Sequence, residues 1–292
     1  MALHPDAGAL AIQRLGPADL VEVFGYLDRD PVLNVYLVAL TLRDALARPN
    51  EELWAARRGD DLVALVHLGG PSGAVLPAGE DPEALERLAG ETLRRRMLLP
   101  RRIQVVGTRA AVKPFVRRFA AAGVAPRLHR SQVYMALDPA KLPPFERVPE
   151  LRAAAAADFG VLYESGAQLR AEELEEDPRD GDATAYGRRV EEESRDGSTH
   201  LWIAGGELHF RASVSALTAD AAQIAGVYTP APLRNRGYAR RGLSELCTRL
   251  FERTRAACLF VNDFNAPALA VYRRMGFTPV AEWASAFYDA GA

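Results

Sequence analysis

The stretch Ile224–Leu250, IAGVYTPAPLRNRGYARRGLSELCTRL, decides how the 292-residue chain is read. Ala221–Thr229 has the apolar, β-branched character of a strand, and Pro230 stops it. A loop through Arg234, Asn235, Arg236 and Gly237 follows. From about Tyr238 to Ala256 the apolar residues Leu243, Leu246, Cys247, Leu250 and Phe251 recur at the spacing of one buried helical face. A helix start leaves backbone N–H groups without intrahelical partners and carries about half a positive charge. Gly237 lets the chain bend tightly and lets an anion come close to the backbone. Arg234, Arg236 and Arg240 add charge suited to phosphate oxygens. Strand, loop and helix together predict an anion cradle whose natural guest is a diphosphate. The loop lacks G-K-[ST] and the three glycines of a dinucleotide fingerprint, so it matches neither phosphate-binding pattern.

Around this segment the second half continues in mixed α/β fashion. Ala153–Gln168 and Asp182–Asp196 read as helices, and Thr199–Ala204 with Glu207–Leu217 reads as a hairpin across Gly205-Gly206. Leu259–Asn262 is a buried-type strand, Pro267–Met275 a short helix, and Thr278–Phe287 a last strand closing that half's sheet. Asn265 suits the cap of the short helix, and Gly276 its left-handed end.

DPAKLPPFERVP, Asp138–Pro149, contains four prolines and is the expected domain boundary. Before it, Ala18–Ala47 has helical periodicity interrupted at Pro31. Strands are expected at Leu53–Arg57, Leu62–Leu68, Gly73–Pro77, Arg102–Gly107 and Arg130–Leu137. Helices are expected at Pro82–Arg95, with Asp81 as N-cap, and at Ala110–Ala122. Both halves thus share one element order, which points to a duplication: residues 1–140 and 147–292.

Composition excludes several classes. A net charge of −2 argues against nucleic-acid or membrane-surface partners. The arginines near residue 236 lack the interleaved aromatics of a single-strand platform. The two cysteines, Cys247 and Cys258, lie in apolar runs and read as small core residues, with no metal-ligand spacing. The start, MALHPDAGALAIQRL, lacks the basic and apolar regions of a leader, and no window of about 18 apolar residues occurs, so a cytoplasmic protein is expected.

With these residues in view, the chain resembles the GCN5-related N-acetyltransferase (GNAT) superfamily. VYTPAPLRNRGYARRGL carries its central pattern, here Arg234, Gly237 and Ala239. LFVNDFNAPALAVYRRMGF, Leu259–Phe277, is similar to its second motif of strand, Asn, helix with Tyr, then Gly-Phe. The resemblance implies two tandem α/β domains, each a mixed, largely antiparallel sheet flanked by helices. It implies acetyl-CoA as acyl donor, no metal, and direct transfer to an amine on a small molecule or protein. It assigns the coenzyme to the backbone of Val227, Tyr228 and Thr229, to the segment Arg234, Asn235, Arg236, Gly237, Tyr238, Ala239 and Arg240, and to Asn265. Tyr272 falls where the family places a general acid, and a phenol of pKa about 10 can share its proton with a departing thiolate; packing alone is its other reading. Glu164, Glu172, Glu193, Glu207 and His209 are candidate bases. The acidic runs Glu172–Asp177 and Glu191–Glu193 read as solvated helix faces or as attraction for a cationic acceptor. At the place of the phosphate loop the first half has GAVLPAGEDPEALERLAG, with Glu80, Asp81 and Glu83, so it is expected not to bind coenzyme A. It resembles the degenerate first repeat of tandem GNAT proteins, which completes an acceptor pocket or stabilises the second repeat. A non-catalytic acyl-CoA sensor is the alternative to the enzyme.

Overall fold

Alternating apolar patterns become strands and 3.6-residue patterns become helices over most of the chain. The computed structural model describes residues 9–289 except 45, 48–49 and 71–72. The first eight residues, part of the stretch read for a leader, and 290–292, the end of the second half, lie outside the described residues.

Chain contacts divide the protein into two units, the first being residues up to Tyr134 with Phe260–Phe264 and the segment from Pro279. Its elements run β1 (Leu10–Leu15), α1 (Leu20–Leu27), α2 (Val35–Asp44), β2 (Glu51–Arg58), β3 (Asp61–Gly69), β4 (Ala74–Gly79), α3 (Pro82–Arg94), β5 (Arg102–Thr108), α4 (Arg109–Ala121) and β6 (Leu128–Leu137). β1 was not foreseen, because only Leu10 and Leu15 at its ends are buried and the alternation is weak. β1 to β4 form an antiparallel meander, and β4 pairs with β5 in parallel. α3 and α4 cover one face through Leu85, Leu88, Phe115 and Phe119, packed on Val66 and Val105. α1 and α2 cover the other through Val23, Leu27 and Leu37, packed on Leu53 and Leu65.

The second unit comprises Met135–Leu259 and Asn265–Thr278. It contains β7 (Arg152–Ala153), α5 (Phe159–Leu174), α6 (Ala183–Asp196), β8 (Thr199–Ala204), β9 (Glu207–Leu217), β10 (Ala222–Tyr228), α7 (Tyr238–Leu250), β11 (Ala257–Asn262) and α8 (Ala266–Arg274). β7 to β10 are antiparallel neighbours and β10 pairs with β11 in parallel, so the order and directions of β1 to β5 recur.

Three expectations are corrected. The alanines from Ala153 do not begin a helix: Ala153 pairs with His200, and Asp158 accepts from Ala155 N at 2.8 Å while forking onto Arg152 at 2.7 and 2.8 Å. That cap delays α5 to Phe159. α7 stops at Leu250, and the Ala256 carbonyl instead accepts from Ala222 N at 2.9 Å, starting β11. The last strand, β12 (Thr278–Asp289), does not close the sheet of the second half; its residues from Trp283 pair antiparallel with β5. Its apolar side chains Ala284, Ala286 and Tyr288 complete the core around Phe119, whose ring meets Tyr288 edge-on at 5.2 Å. Ser285, on the opposite side, donates to Gln132 Oε1 at 2.7 Å.

α7 fixes the second unit from both of its sides. Glu245, 1% exposed, accepts from Arg147 Nε at 2.7 Å, Arg249 Nε at 3.0 Å and Val148 N at 3.1 Å. The hydrogen bonds from Arg147 are the main cause that pulls the carboxyl down to about 2 from its ordinary 4.5, against the opposing effect of burial. Because the folded-state value is depressed, the stabilisation is present above about 4.5 and disappears as pH falls toward about 2. Glu245→Gln is therefore expected to cost about 1–3 kcal/mol at neutral pH and to flatten the pH dependence of urea midpoints between about 5 and 2; an unchanged acid limb would contradict this.

On its sheet side, α7 approaches β9 so closely that a Cβ at Gly242 would lie 2.5 Å from the ring of Phe210. Gly242→Ala should destabilise by about 1–3 kcal/mol through overpacking. Gly187→Ala, in α6 where a Cβ meets nothing within 4 Å, should instead stabilise by about 0.5–1 kcal/mol. Thermal melts of the two variants against the parent check the sign difference.

Candidate functional site

β10 is paired unevenly. Its parallel ladder with β11 consists of Ala222–Ala257 and Gln223–Cys258 and goes no further. On the other side it follows β9 to Ala225–Ser213 and then jumps to Tyr228–Arg211, a bulge with Gly226 at φ +60°. From Ile224 onward one edge of β10 therefore has no ladder partner among the described residues. A free sheet edge is a row of donors and acceptors ready to pair with an extended ligand. Val227 is half-buried, and Tyr228 and Thr229 are buried. The Thr229 hydroxyl is buried without a partner.

The chain leaves β10 through Pro230 and a short turn, Ala231–Leu233, pinned by buried Leu233. Asn235 (φ +63°) and Gly237 (φ +84°) are both left-handed. A Cβ at Gly237 would meet nothing within 4 Å, so space lies open in front of it. Gly237 is the N-cap of α7 and supplies no side-chain cap, and the first bond back into the loop is Arg241 N to Gly237 O at 3.0 Å. The N–H groups from Asn235 to Arg240 donate to no acceptor among the described residues. Successive unpaired amides in such a bend form an anion-binding concavity, and the helix dipole strengthens it.

The arginines divide into two kinds. Arg234 is committed: its Nε donates to Thr229 O at 3.0 Å, and its Nη2 donates to both Glu172 oxygens at 2.7 and 2.8 Å. It straps the loop to the end of α5, and its charge is matched by Glu172. Arg236 and Arg240 are exposed and hold no ion pair among the described residues. Sequence reasoning missed this division, because Glu172 lies 62 positions from Arg234 and nothing local announces the pair.

α8 packs beside α7. Asn265 caps it, accepting from Ala268 N at 3.2 Å, and Gly276 (φ +94°) ends it in the expected left-handed conformation. A Cβ at Gly276 would sit 2.5 Å from the Lys141 carbonyl oxygen, so only glycine fits. Tyr272 is 7% exposed, its ring packs 5.9 Å from Phe277, and its hydroxyl makes no hydrogen bond among the described residues. Burial, reinforced by the negative charge of Glu173, pushes its phenol well above the usual range. It stays protonated at neutral pH.

The candidate bases are dispersed. Glu164 pairs with Arg179 at 2.9 Å, and Glu193 accepts from Arg211 and Thr199, both at 2.6 Å, within a buried network. Glu207 is exposed. His209 stacks on Tyr238, with ring centroids 4.4 Å apart, under the start of α7. Both cysteines are buried thiols, and burial pushes that of Cys247 up. Among the described residues there is no cluster of three or more His, Cys, Asp or Glu able to hold a metal, and no helix long and apolar enough to cross a membrane.

The corresponding helix start in the first unit is filled. Asp81 Oδ1 accepts from Glu83 N and Ala84 N at 3.0 Å each, and Arg58 pairs with Asp81 at 2.9 Å and Glu83 at 3.2 Å. A side-chain carboxylate already occupies the place an anion would take.

Comparison with known proteins gives one consistent answer. Residues 163–277 match the family model described as Acetyltransferase (GNAT) family. A tandem GNAT protein from the clavulanic acid biosynthesis pathway is similar in structure, with TM-score 0.55 and 17% identity over 97% of this chain and 99% of that one. So is a GCN5-related N-acetyltransferase from Sphaerobacter thermophilus, with TM-score 0.57 and 19% identity over 98% and 96%. An acetyltransferase of the GNAT family from Colwellia psychrerythraea gives 0.53 and 12% over 95% and 99%. No curated protein sequence matches the chain significantly. The open strand edge and the unpaired amides at a helix start lie within the segment that matches the GNAT family model, and the chain as a whole shares the fold of a tandem GNAT protein.

Proposed function

We propose that this protein moves an acetyl group from acetyl-CoA directly to an amine, using a site in its second unit. The observation that carries the reading is the run of unpaired N–H groups at 235–240 continuing from the unpaired edge of β10. The amides receive the diphosphate of the coenzyme. The backbone of Val227, Tyr228 and Thr229 pairs with the amides of its pantetheine arm, and the Thr229 hydroxyl gains the partner it lacks. Arg236 and Arg240 add solvent-exposed charge, whereas Arg234 shapes the loop. Asn265 stands at the head of α8 near the coenzyme, and Tyr272 farther along it faces the thioester.

The amine attacks the thioester carbonyl and forms a tetrahedral intermediate; the C–S bond then breaks and the sulfur leaves with the electron pair. Its thiol has a pKa near that of cysteine, about 8.5. A phenol held above its usual range keeps its proton until the sulfur carries charge, then donates a hydrogen bond to it. The amine must lose a proton before or during attack. With Glu172 and Glu193 committed to Arg234 and Arg211, ordered water rather than one carboxylate carries it. No cysteine stands on the β10–loop segment, so transfer proceeds in a ternary complex without an acyl-enzyme. The first unit, whose helix start is capped by Asp81, does not take up coenzyme.

Two measurements test the reading. Gly237→Asp sets a carboxylate at the left-handed start of α7, where its charge repels a diphosphate, and it is expected to weaken acetyl-CoA binding in calorimetry by about 30-fold or more. Unchanged uptake would remove the cradle. For chemistry, thiol release from acetyl-CoA is followed across an amine library. Tyr272→Phe should slow it by about 10-fold or more with binding retained. Binding with no turnover on any amine would make the protein an acyl-CoA sensor instead.

A further inference from the structure

His209 occupies an irregular place in β9. The ladder with β8 pairs Trp202 with Phe210 and then Ile203 with Leu208, leaving His209 as the extra residue of a bulge. Regular alternation would send His209 and Phe210 to opposite faces. The bulge lets both reach α7: Phe210 meets Gly242, and the His209 ring lies against Tyr238 at 4.4 Å with 33° between planes. Bulges that re-aim a side chain in this way recur beside functional sites. Trp202 completes the group, edge-on to His209 and to Tyr238, each at 5.2 Å. Arg241, one turn along, lies over Trp202 at 4.9 Å and pairs with Glu146 at 2.9 Å.

The imidazole is held as a flat plate and not through its nitrogens. Nδ1 is buried without a partner, and Nε2 is 3.8 Å from Glu207, beyond hydrogen-bond reach. What it supports is Tyr238, the first residue of α7, whose N–H is among those unpaired. A cap would ordinarily hold a first turn by bonding these amides, but bonding them would occupy the donors that an anion needs. Stacking on the side chain of the first residue fixes the turn and leaves the amides open.

We propose that the bulge at His209 builds an aromatic rest, His209–Trp202–Tyr238, that sets the direction of the first turn of α7 and makes His209 a positioning residue for the diphosphate end of the coenzyme. The inference rests on the coenzyme reading above and adds the element that aims its cradle. Preorganised donors lose affinity when the turn carrying them loosens. The loss should fall on the diphosphate alone, because the β10 edge that takes the pantetheine arm makes no use of the rest.

Two probes separate these ends: acetyl-CoA, measured by calorimetry, and S-acetylpantetheine, which lacks the diphosphate, measured by amide shifts at millimolar concentration. His209→Ala is expected to weaken acetyl-CoA by about 10-fold and S-acetylpantetheine by less than about 2-fold, and His209→Phe, still flat, to recover acetyl-CoA to within about 3-fold of the parent. Equal losses on both probes, no loss on acetyl-CoA, or a Phe variant as weak as the Ala variant would each overturn the proposal. If His209→Ala does not fold, Tyr238→Leu disturbs the same stack from its half-buried side and should give the same selective loss, with equal losses again counting against it. A parent protein that takes up no acetyl-CoA would instead bring down the coenzyme reading, a result distinct from any of these.

Discussion

A helix start leaves its first backbone amides without partners in the helix, and the second unit is organised around a group of them that no other part of the described chain caps. The ladder between β10 and β11 ends after Gln223–Cys258, and the next turn of chain leaves the N–H groups of Asn235 to Arg240 open. Neither would persist if the surroundings let the backbone close on itself. The bulge at Gly226 bends β10 away from regular pairing, and the left-handed residues Asn235 and Gly237 keep the loop from continuing as helix before Tyr238. The Arg234–Glu172 strap fixes one end of the loop, and the Phe210–Gly242 approach fixes the helix that follows. Strain and close packing at these few positions are what the open donors cost, a pattern expected where structure serves a ligand.

The first unit shows the same scaffold with its helix start closed. β1 to β5 repeat the order and directions of β7 to β11, and a parallel ladder at β4–β5 is also brief, Ala74–Gln104 and Val75–Val105. The difference is at the helix start. Asp81 and Pro82 close α3 with a carboxylate on its first amides and Arg58 behind it, where the second unit has Gly237 and open space. A capping carboxylate and a bound anion exclude one another at such a helix start, because the same two or three N–H groups cannot serve both.

Much of this was legible in the residues. Asp81 marked the start of its helix, Gly276 the left-handed end of another, and the motif around Gly237 placed strand, loop and helix within a few positions. What escaped was long-range or depended on competition. Nothing near Ala153 reveals that Asp158 and Arg152 will pair and hold the alanines out of a helix. Nothing in Thr278–Asp289 says which sheet it joins, since its alternation fits any edge; the choice follows from where Ala284, Ala286 and Tyr288 find a core. The bulge at His209 is equally silent, because it arises from pairing between strands and not from a residue with unusual backbone needs.

The division among the arginines bears on where selectivity arises. Arg234, the residue of the family motif, is neutralised by Glu172, and Arg236 and Arg240 reach into solvent, where charge is screened over about 8–10 Å at ordinary ionic strength. The charge that is neither screened nor mobile belongs to the peptide dipoles of the loop and the first turn of α7. Their direction is set by packing: by the Tyr238 side chain on His209 and Trp202, and by the close seat of Gly242 on Phe210. On the coenzyme reading proposed above, recognition of a diphosphate is thus a property of how the helix is seated, more than of how many basic side chains surround it.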